Sequence, residues 1–373
     1  MTAVTPIRMP KWGLSMLEGT IVDWHKREGD QIAVGDELVD IETSKITNVC
    51  ESPGAGVLRR IVAKDGETLV VGALIGVLAE PATEQAEIDA FIEAFQANFI
   101  PESGDEDDGS GLQLSTVDVG GRTLRIGRMG GGETSPVVLI HGYSGDLNNW
   151  LFNVEALSAK APVIAIDLPG HGGSSKDVGD GSLQTLADAV WAALKALDVN
   201  EAHLVGHSLG AAVAARMAAD QPASATSLTL IAPAYLPGTQ ASDDFLNGVI
   251  DASRARDLKP VLELLVADPA LIGKDMIEDM LKFKRLDGAE EALGVLRGRM
   301  LSGADEKALQ ADLAKTPPAL VIASKTDRIV GAPDEAALPS GYKVVWVENA
   351  GHMPHLEQAA TVNALLVDAI SRH

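Results

Sequence analysis

The 373-residue sequence holds a single cysteine, Cys50. An intrachain disulfide and a cysteine-rich metal site are thereby excluded, a reducing cytosol is the expected compartment, and no metal site is expected. No run of eighteen apolar residues occurs, and Met1 to Met16 has neither a basic start followed by an apolar block nor a small-residue cleavage site. Membrane spanning and export are therefore not expected, and the chain is read as cytoplasmic. Positive charge is scarce, with 30 Lys and Arg against 53 Asp and Glu and a formal net charge of −23. Such a field repels polyanions at long range, so neither nucleic acid nor an anionic membrane is an expected partner. The apolar share of 46% is ordinary for a globular protein, and the length exceeds one average domain, so two domains are expected.

What is present begins with an internal repeat. Gly19, Gly29 and Gly35 recur as Gly56, Gly66 and Gly72, with apolar residues at matching places between them. Each half alternates short β-like runs, such as Thr20 to Trp24 and Leu38 to Ile41, with Gly-Asp or Asp-Gly turns. Two similar small sheets facing each other would bury both apolar faces. Between the halves lies Glu42-Thr43-Ser44-Lys45-Ile46-Thr47, which puts Lys45 on the joining turn, exposed at one end. A carrier needs its attachment lysine at such a place; a bare sandwich with an unmodified lysine is the alternative.

Residues 81–113 are of another kind. Ile88, Phe91, Ile92, Phe95 and Phe99 fall at helical spacing, which predicts a short amphipathic helix that either packs on its own chain or docks a partner. Glu102 to Gly111 is acidic, glycine-bearing and almost without apolar residues, the composition of a mobile linker. Fully extended, the roughly 30 residues between the modules would reach up to ~100 Å.

From residue 114 onward, continuous apolar β-type runs alternate with helical ones: Val137 to Ile140, Val163 to Ile166, His203 to Val205, Leu228 to Ile231, Leu320 to Ala323 and Val344 to Val347. This pattern predicts an α/β domain over 114–373, a parallel sheet covered on both faces. Only helix-like patterns occur from about 235 to 317, an expected cap.

Gly206-His207-Ser208-Leu209-Gly210 follows one strand run and precedes the helix-forming stretch Ala211 to Ala219. Strand, tight turn and helix give a nucleophile elbow, whose small flanking residues expose the serine hydroxyl. A serine needs a base to take its proton and an acid to hold that base in one tautomer. Asp327 and His352 each follow a strand run, at the carboxyl ends where such sheets build sites, in the order Ser, Asp, His. Asp334 and His355 are the rival acid and base. Backbone N–H groups of Leu209, after the nucleophile, and Tyr143, in the His141-Gly142-Tyr143 turn, are the expected oxyanion donors. His141, and His171 in Asp167-Leu168-Pro169-Gly170-His171-Gly172, are read as structural.

Through the His141 turn, the Asp167 to Gly172 turn, the Ser208 elbow, Asp327 and His352, residues from about 114 to 373 resemble the α/β-hydrolase superfamily. Residues 4 to 80 resemble lipoyl domains through Met9-Pro10-Lys11, Met16-Leu17-Glu18-Gly19 and the Lys45 turn. The expected architecture is therefore an α/β-hydrolase fold with a helical cap, preceded by a small all-β lipoyl/biotinyl-type sandwich over 1–80.

Together the two modules resemble dihydrolipoyllysine-residue acetyltransferase components of acetoin-cleaving dehydrogenase systems. That resemblance implies lipoate covalently bound to Lys45, coenzyme A as substrate, and acetyl transfer from S-acetyldihydrolipoyl-lysine to coenzyme A through an acyl-Ser208 intermediate. It implies as partners a thiamine-diphosphate-dependent dehydrogenase component and a dihydrolipoyl dehydrogenase. An ester or thioester hydrolase with an attached carrier, and a non-catalytic scaffold subunit, are the competing readings. Lys282, Lys284, Arg285, Arg297 and Arg299 in the cap are candidate contacts for coenzyme A phosphates, as against a solvated helix face.

Overall fold

The computed structural model describes residues 4–10, 18–42, 47–98, 112–132 and 134–372. The chain divides into two compact units, residues 1–109 and 110–373. Lys45, the linker from Glu102 to Gly111, Phe99 and the 11–17 part of the lipoyl-like motif lie outside the described residues.

The first unit contains β1 (Thr5–Arg8), β2 (Glu18–Trp24), β3 (Gln31–Ile32), β4 (Glu37–Glu42), β5 (Thr47–Glu51), β6 (Gly56–Ile61), β7 (Thr68–Val70) and β8 (Leu74–Ala79). They form two four-stranded antiparallel sheets, ordered β1-β8-β6-β3 and β5-β4-β2-β7. Each repeat supplies two strands to one sheet and lends its short middle strand to the other: β3 joins β6, and β7 joins β2. The repeat is visible bond by bond. Gly29 N–H donates to the Leu58 carbonyl at 2.7 Å, and its counterpart Gly66 N–H donates to the Ile21 carbonyl at 2.8 Å. Both glycines sit at positive φ, 101° and 83°, a backbone region that disfavours a side chain. Ile7, Ile21, Leu38, Ile41, Leu58, Ile75 and Leu78 fill the space between the sheets, with Cys50 buried among them as a small apolar filler.

The helix predicted after the sandwich, α1 (Gln85–Asn98), packs on its own unit. Ile88 is buried against Leu74 and Val77, with Phe91, Ile92 and Phe95 beside it. Arg60 pairs with Asp89 at 2.7 Å, and the Arg8 guanidinium lies 5.1 Å from the Phe95 ring centre.

In the second unit an eight-stranded sheet has the order β16-β15-β14-β13-β11-β12-β10-β9. Its strands are β9 (Gln113–Val119), β10 (Arg122–Met129), β11 (Val137–Ile140), β12 (Val163–Ile166), β13 (Ala202–His207), β14 (Ala225–Ile231), β15 (Ala319–Ala323) and β16 (Lys343–Trp346). The last six are parallel, while β9 and β10 are an antiparallel edge. Every residue of β11 and β12 is buried, as expected for strands covered on both faces. Helices α3 (Leu183–Ala196) and α4 (Leu209–Asp220) cover one face. On the other lie α2 (Val154–Ser158) and, at the carboxyl end after the one-turn α10 (Pro354–Glu357), α11 (Ala359–Ile370).

Between β14 and β15 the regular structure is helical only: α5 (Asp243–Asp251), α6 (Ala255–Leu262), α7 (Lys274–Lys284), α8 (Ala289–Ser302) and α9 (Ala304–Asp312), with short 3₁₀ turns. Among the described residues, no helix is long and apolar enough to cross a membrane.

Candidate active site

Four loops at the carboxyl ends of parallel strands supply the candidate residues: Tyr143 after β11, Ser208 after β13, Asp327 after β15 and His352 after β16. At Ser208 the backbone has φ 56° and ψ −118°, a strained conformation for a residue with a side chain. Close backbone approach dictates the flanking glycines. A Cβ on Gly206 would lie 2.2 Å from the Gly210 carbonyl oxygen, and one on Gly210 would lie 2.2 Å from that of Ile140. The elbow is fixed below by Ser208 N–H donating to the Ile231 carbonyl at 2.9 Å. Leu209 opens α4, so its N–H is among those a helix's own ladder leaves unpaired.

The Tyr143 loop lies directly against the elbow, since a Cβ on Gly142 would come within 2.8 Å of Ser208 Cβ. Two buried histidines hold this loop. His141 Nε2 accepts the Leu168 N–H at 3.0 Å, and His171 Nε2 accepts the Ser144 N–H at 3.1 Å. Their other nitrogens face the carbonyls of Gly142 and Pro169, so each ring is neutral with Nδ1 protonated. Burial depresses both pKa values, in keeping with this assignment. Each imidazole thus ties one loop to the other, a structural use for both.

His352 Nδ1 meets Asp327 Oδ2 at 2.8 Å, with both side chains almost fully buried. The second Asp327 oxygen accepts the N–H groups of Ile329 (2.8 Å) and Val330 (3.1 Å), which fixes the carboxylate plane. Such a partner keeps the proton on Nδ1 and leaves Nε2 as the basic nitrogen. The rival groups are otherwise engaged. Asp334 caps a 3₁₀ turn through the Ala336 N–H, and His355 is fully buried between Trp150 and His207, ring centres 4.8 and 4.5 Å away. Burial pushes the His355 pKa down to about 3.

The basic cap residues do not form one surface. Lys284 is buried, and its ammonium donates to the carbonyls of Ile250 (2.8 Å) and Ala252 (2.5 Å), so it is no contact for a phosphate. The run Lys282, Lys284, Arg285 reads as one basic patch, but a helix turns successive side chains apart and Lys284 faces inward. Lys282 pairs with Asp279 (2.9 Å) and Arg299 with Asp305 (2.7 Å), while Arg285 is exposed. Arg297, half-buried, reaches Asn247 Oδ1 at 3.4 Å. Its charge acts on the Tyr143 phenol, whose pKa burial raises and Arg297 opposes.

Two residues that sequence reasoning passed over also touch this site. Glu357 accepts the Gly351 N–H at 2.6 Å, and Arg328 donates to the Val266 carbonyl at 2.8 Å. Only adjacency to His352 and Asp327 could have marked them.

Residues 137–365 match the alpha/beta hydrolase family, and residues 5–78 match the family described as biotin-requiring enzymes. With the elbow, the buried His–Asp pair and the two-sheet sandwich, these matches define a fusion of a biotinyl/lipoyl-type domain to an α/β hydrolase. The chain belongs to the family of dihydrolipoyllysine-residue acetyltransferase components of acetoin-cleaving systems. It is 44% identical to such a component from Pseudomonas putida over 100% of both chains. It is 42% identical to one from Cupriavidus necator, covering 97% of this chain and 96% of that one. A solved 2-hydroxy-6-oxo-6-phenylhexa-2,4-dienoate hydrolase from a Rhodococcus strain shares the fold, with TM-score 0.63 and 20% identity over 70% of this chain and 99% of that one.

Proposed function

We propose that this chain is an acyltransferase that moves an acetyl group from a lipoyl thioester on Lys45 to coenzyme A through an acyl-Ser208 intermediate. The observation that carries the reading is the buried Asp327–His352 pair beside a strained serine elbow, in a chain that also contains a carrier-type sandwich. Glu42 and Thr47, the described residues nearest Lys45 on either side, are register partners at the adjoining ends of β4 and β5, which supports a carrier lysine between them. Lipoate attached there would supply, in its reduced dihydrolipoyl form, a thiol able to hold the acyl group as a thioester.

His352 takes the Ser208 proton, and the serine oxygen attacks the thioester carbon. Backbone N–H groups of Tyr143 and Leu209 stabilise the oxyanion, and each such donor is worth about 3 kcal/mol to the transition state. His352 returns the proton to the departing sulfur. It then takes the proton of the coenzyme A thiol, whose sulfur attacks the acyl carbon, and returns that proton to the departing Ser208 oxygen. A thiamine-diphosphate-dependent dehydrogenase component and a dihydrolipoyl dehydrogenase fit as the partners that load and reoxidise the arm, in line with the acetoin-cleaving systems named for the relatives.

Acetyl-dihydrolipoamide supplied with and without coenzyme A tests the reading. The expected product is acetyl-coenzyme A, with slow acetate release when the thiol acceptor is omitted. Acetate formed at one rate in both cases would make the protein a thioesterase.

A further inference from the structure

We propose that Arg328 and Glu357 are positioning residues that fasten the cap segment 263–267 to the loops of the acid and the base, and that this fastening decides whether the acyl group passes to a thiol or to water. The inference rests on the reading of Ser208, Asp327 and His352 as the catalytic residues.

Residues 263–267 follow α6 as a 3₁₀ turn and a short extended stretch, and four of their backbone groups bond to His352, Arg328 and Glu357. The Leu265 carbonyl accepts the backbone N–H of His352 itself at 2.8 Å. Arg328, next to Asp327, donates through one guanidinium nitrogen to the carbonyls of Glu263 and Val266, the latter at 2.8 Å. Glu357 works from the other side. One oxygen accepts the Gly351 N–H at 2.6 Å, and the other accepts the Ala267 N–H at 2.7 Å. A cation thus holds the carbonyls and an anion an amide of one five-residue segment, and charge-assisted bonds of this kind are about twice as strong as neutral ones.

Gly351 shows how closely the segment is seated. A Cβ there would stand 2.7 Å from the Val266 carbonyl carbon, 2.8 Å from Ala267 N and 3.0 Å from the Leu265 carbonyl oxygen. Since Gly351 has no positive φ, space alone requires glycine at this position. The cap segment and the His352 loop therefore meet through direct backbone contact, and the side chains of Arg328 and Glu357 close the edges of that seam.

The chemical consequence falls on the second half-reaction. Coenzyme A thiol and water both give a proton to His352, form a bond to the acyl carbon and release Ser208, which regains a proton. Only the fit of the acceptor under the cap separates them. A cap held to the base loop excludes loose water from His352, whereas a loosened segment 263–267 admits it.

Arg328→Met, Arg328→Lys and Glu357→Gln in the full lipoylated chain test the proposal, since Arg328 is exposed and its replacement leaves the core intact. A chromogenic acetate ester counts acylated Ser208 as a burst, and acetyl-coenzyme A against acetate gives the partition of the acyl-enzyme. The expected result is an undiminished burst with the partition shifted toward acetate by about tenfold in Arg328→Met and in Glu357→Gln. Arg328→Lys, which keeps one charged bond, should recover part of the shift. An unchanged partition in both variants, or a burst and a transfer rate that fall together, overturns the proposal. Absence of a burst in the unaltered chain would instead remove the acyl-serine reading, and this inference with it.

Discussion

His207 Nε2 lies 2.8 Å from the backbone carbonyl oxygen of His352, so the second residue of the elbow holds the His352 loop. A carbonyl only accepts, which requires the proton on Nε2 of a neutral His207. Burial and the neighbouring histidines keep its pKa well below the ordinary value, consistent with that form. Losing the donor strands a buried carbonyl, at about 1–3 kcal/mol. His207→Leu should therefore lower kcat for acetyl-dihydrolipoamide about tenfold with little change in KM, and His207→Gln, whose amide N–H can replace Nε2–H, should recover most of it. Equal activity of the two variants would separate His207 from the placing of His352.

The repeat announced the sandwich because its glycines and apolar residues recur in step, yet the exchange of β3 and β7 between sheets could not be read. Gln31–Ile32 and Thr68–Val70 are too short to carry a periodicity, and only packing assigns them a sheet. The six parallel strands were legible as largely apolar runs, interrupted only by His203 and Thr229. The edge pair β9 and β10 is half-exposed and mixed, although Gly120-Gly121 between them is the turn of a hairpin. Ser208, Asp327 and His352 stood out through order and strand ends. The seats of Arg328, Glu357 and Lys284 did not, because their partners are backbone groups about 6 to 90 residues away in sequence, and backbone carries no sequence signal.

Acid should destabilise the second unit through its buried histidines. The pKa values of His141, His171, His207 and His355 all lie below the ordinary histidine value in the folded state. Between its folded and unfolded pKa, such a group binds a proton only on unfolding. Its stabilising contribution is complete above about pH 6.5 and declines as pH falls toward the folded pKa, about 3 for His355. Each of these histidines adds up to about 1.4 kcal/mol per pH unit to the slope. His355→Phe should retain stability at pH 7.5 within the range of a ring-for-ring exchange and flatten the dependence between pH 6 and 4 by about that amount. Denaturant unfolding across this range measures it, and an unaltered slope would contradict the assignment.

Lys284 and its neighbours should respond differently to truncation. Its ammonium satisfies two carbonyls that end the α5 segment, the Ala252 one buried and the Ile250 one partly so, and Glu290 lies 3.5 Å away. Lys284→Ala leaves those carbonyls without their donor and should cost about 2–4 kcal/mol. Lys282→Ala and Arg285→Ala, at partly exposed and exposed positions, should each stay within about 0.5 kcal/mol. Thermal unfolding of the three single variants distinguishes a buried structural lysine from a surface charge. A Lys284→Ala chain as stable as the parent would restore it to the surface set.

The two units should fail independently, because delivery and chemistry are assigned to different residues. Ser208→Ala removes the nucleophile, so turnover of free acetyl-dihydrolipoamide should drop by more than about a thousandfold. The same variant should still acquire lipoate, since its attachment site belongs to the other compact unit. Lys45→Ala reverses the pattern. Free acetyl-dihydrolipoamide needs no tether and should turn over at the parental rate, whereas flux coupled to the loading dehydrogenase should stop. A tether converts the encounter into an intramolecular event at up to millimolar effective concentration, and free carrier at micromolar levels cannot replace it. Adding free lipoamide to the Lys45→Ala chain should therefore restore coupled flux only as its concentration approaches the millimolar range. Intact mass and peptide mapping of chain made in a lipoylating host should place the adduct on Lys45 in the parent and in Ser208→Ala. A fully unmodified Lys45, or equal loss of free-substrate turnover in both variants, would end the separation of roles.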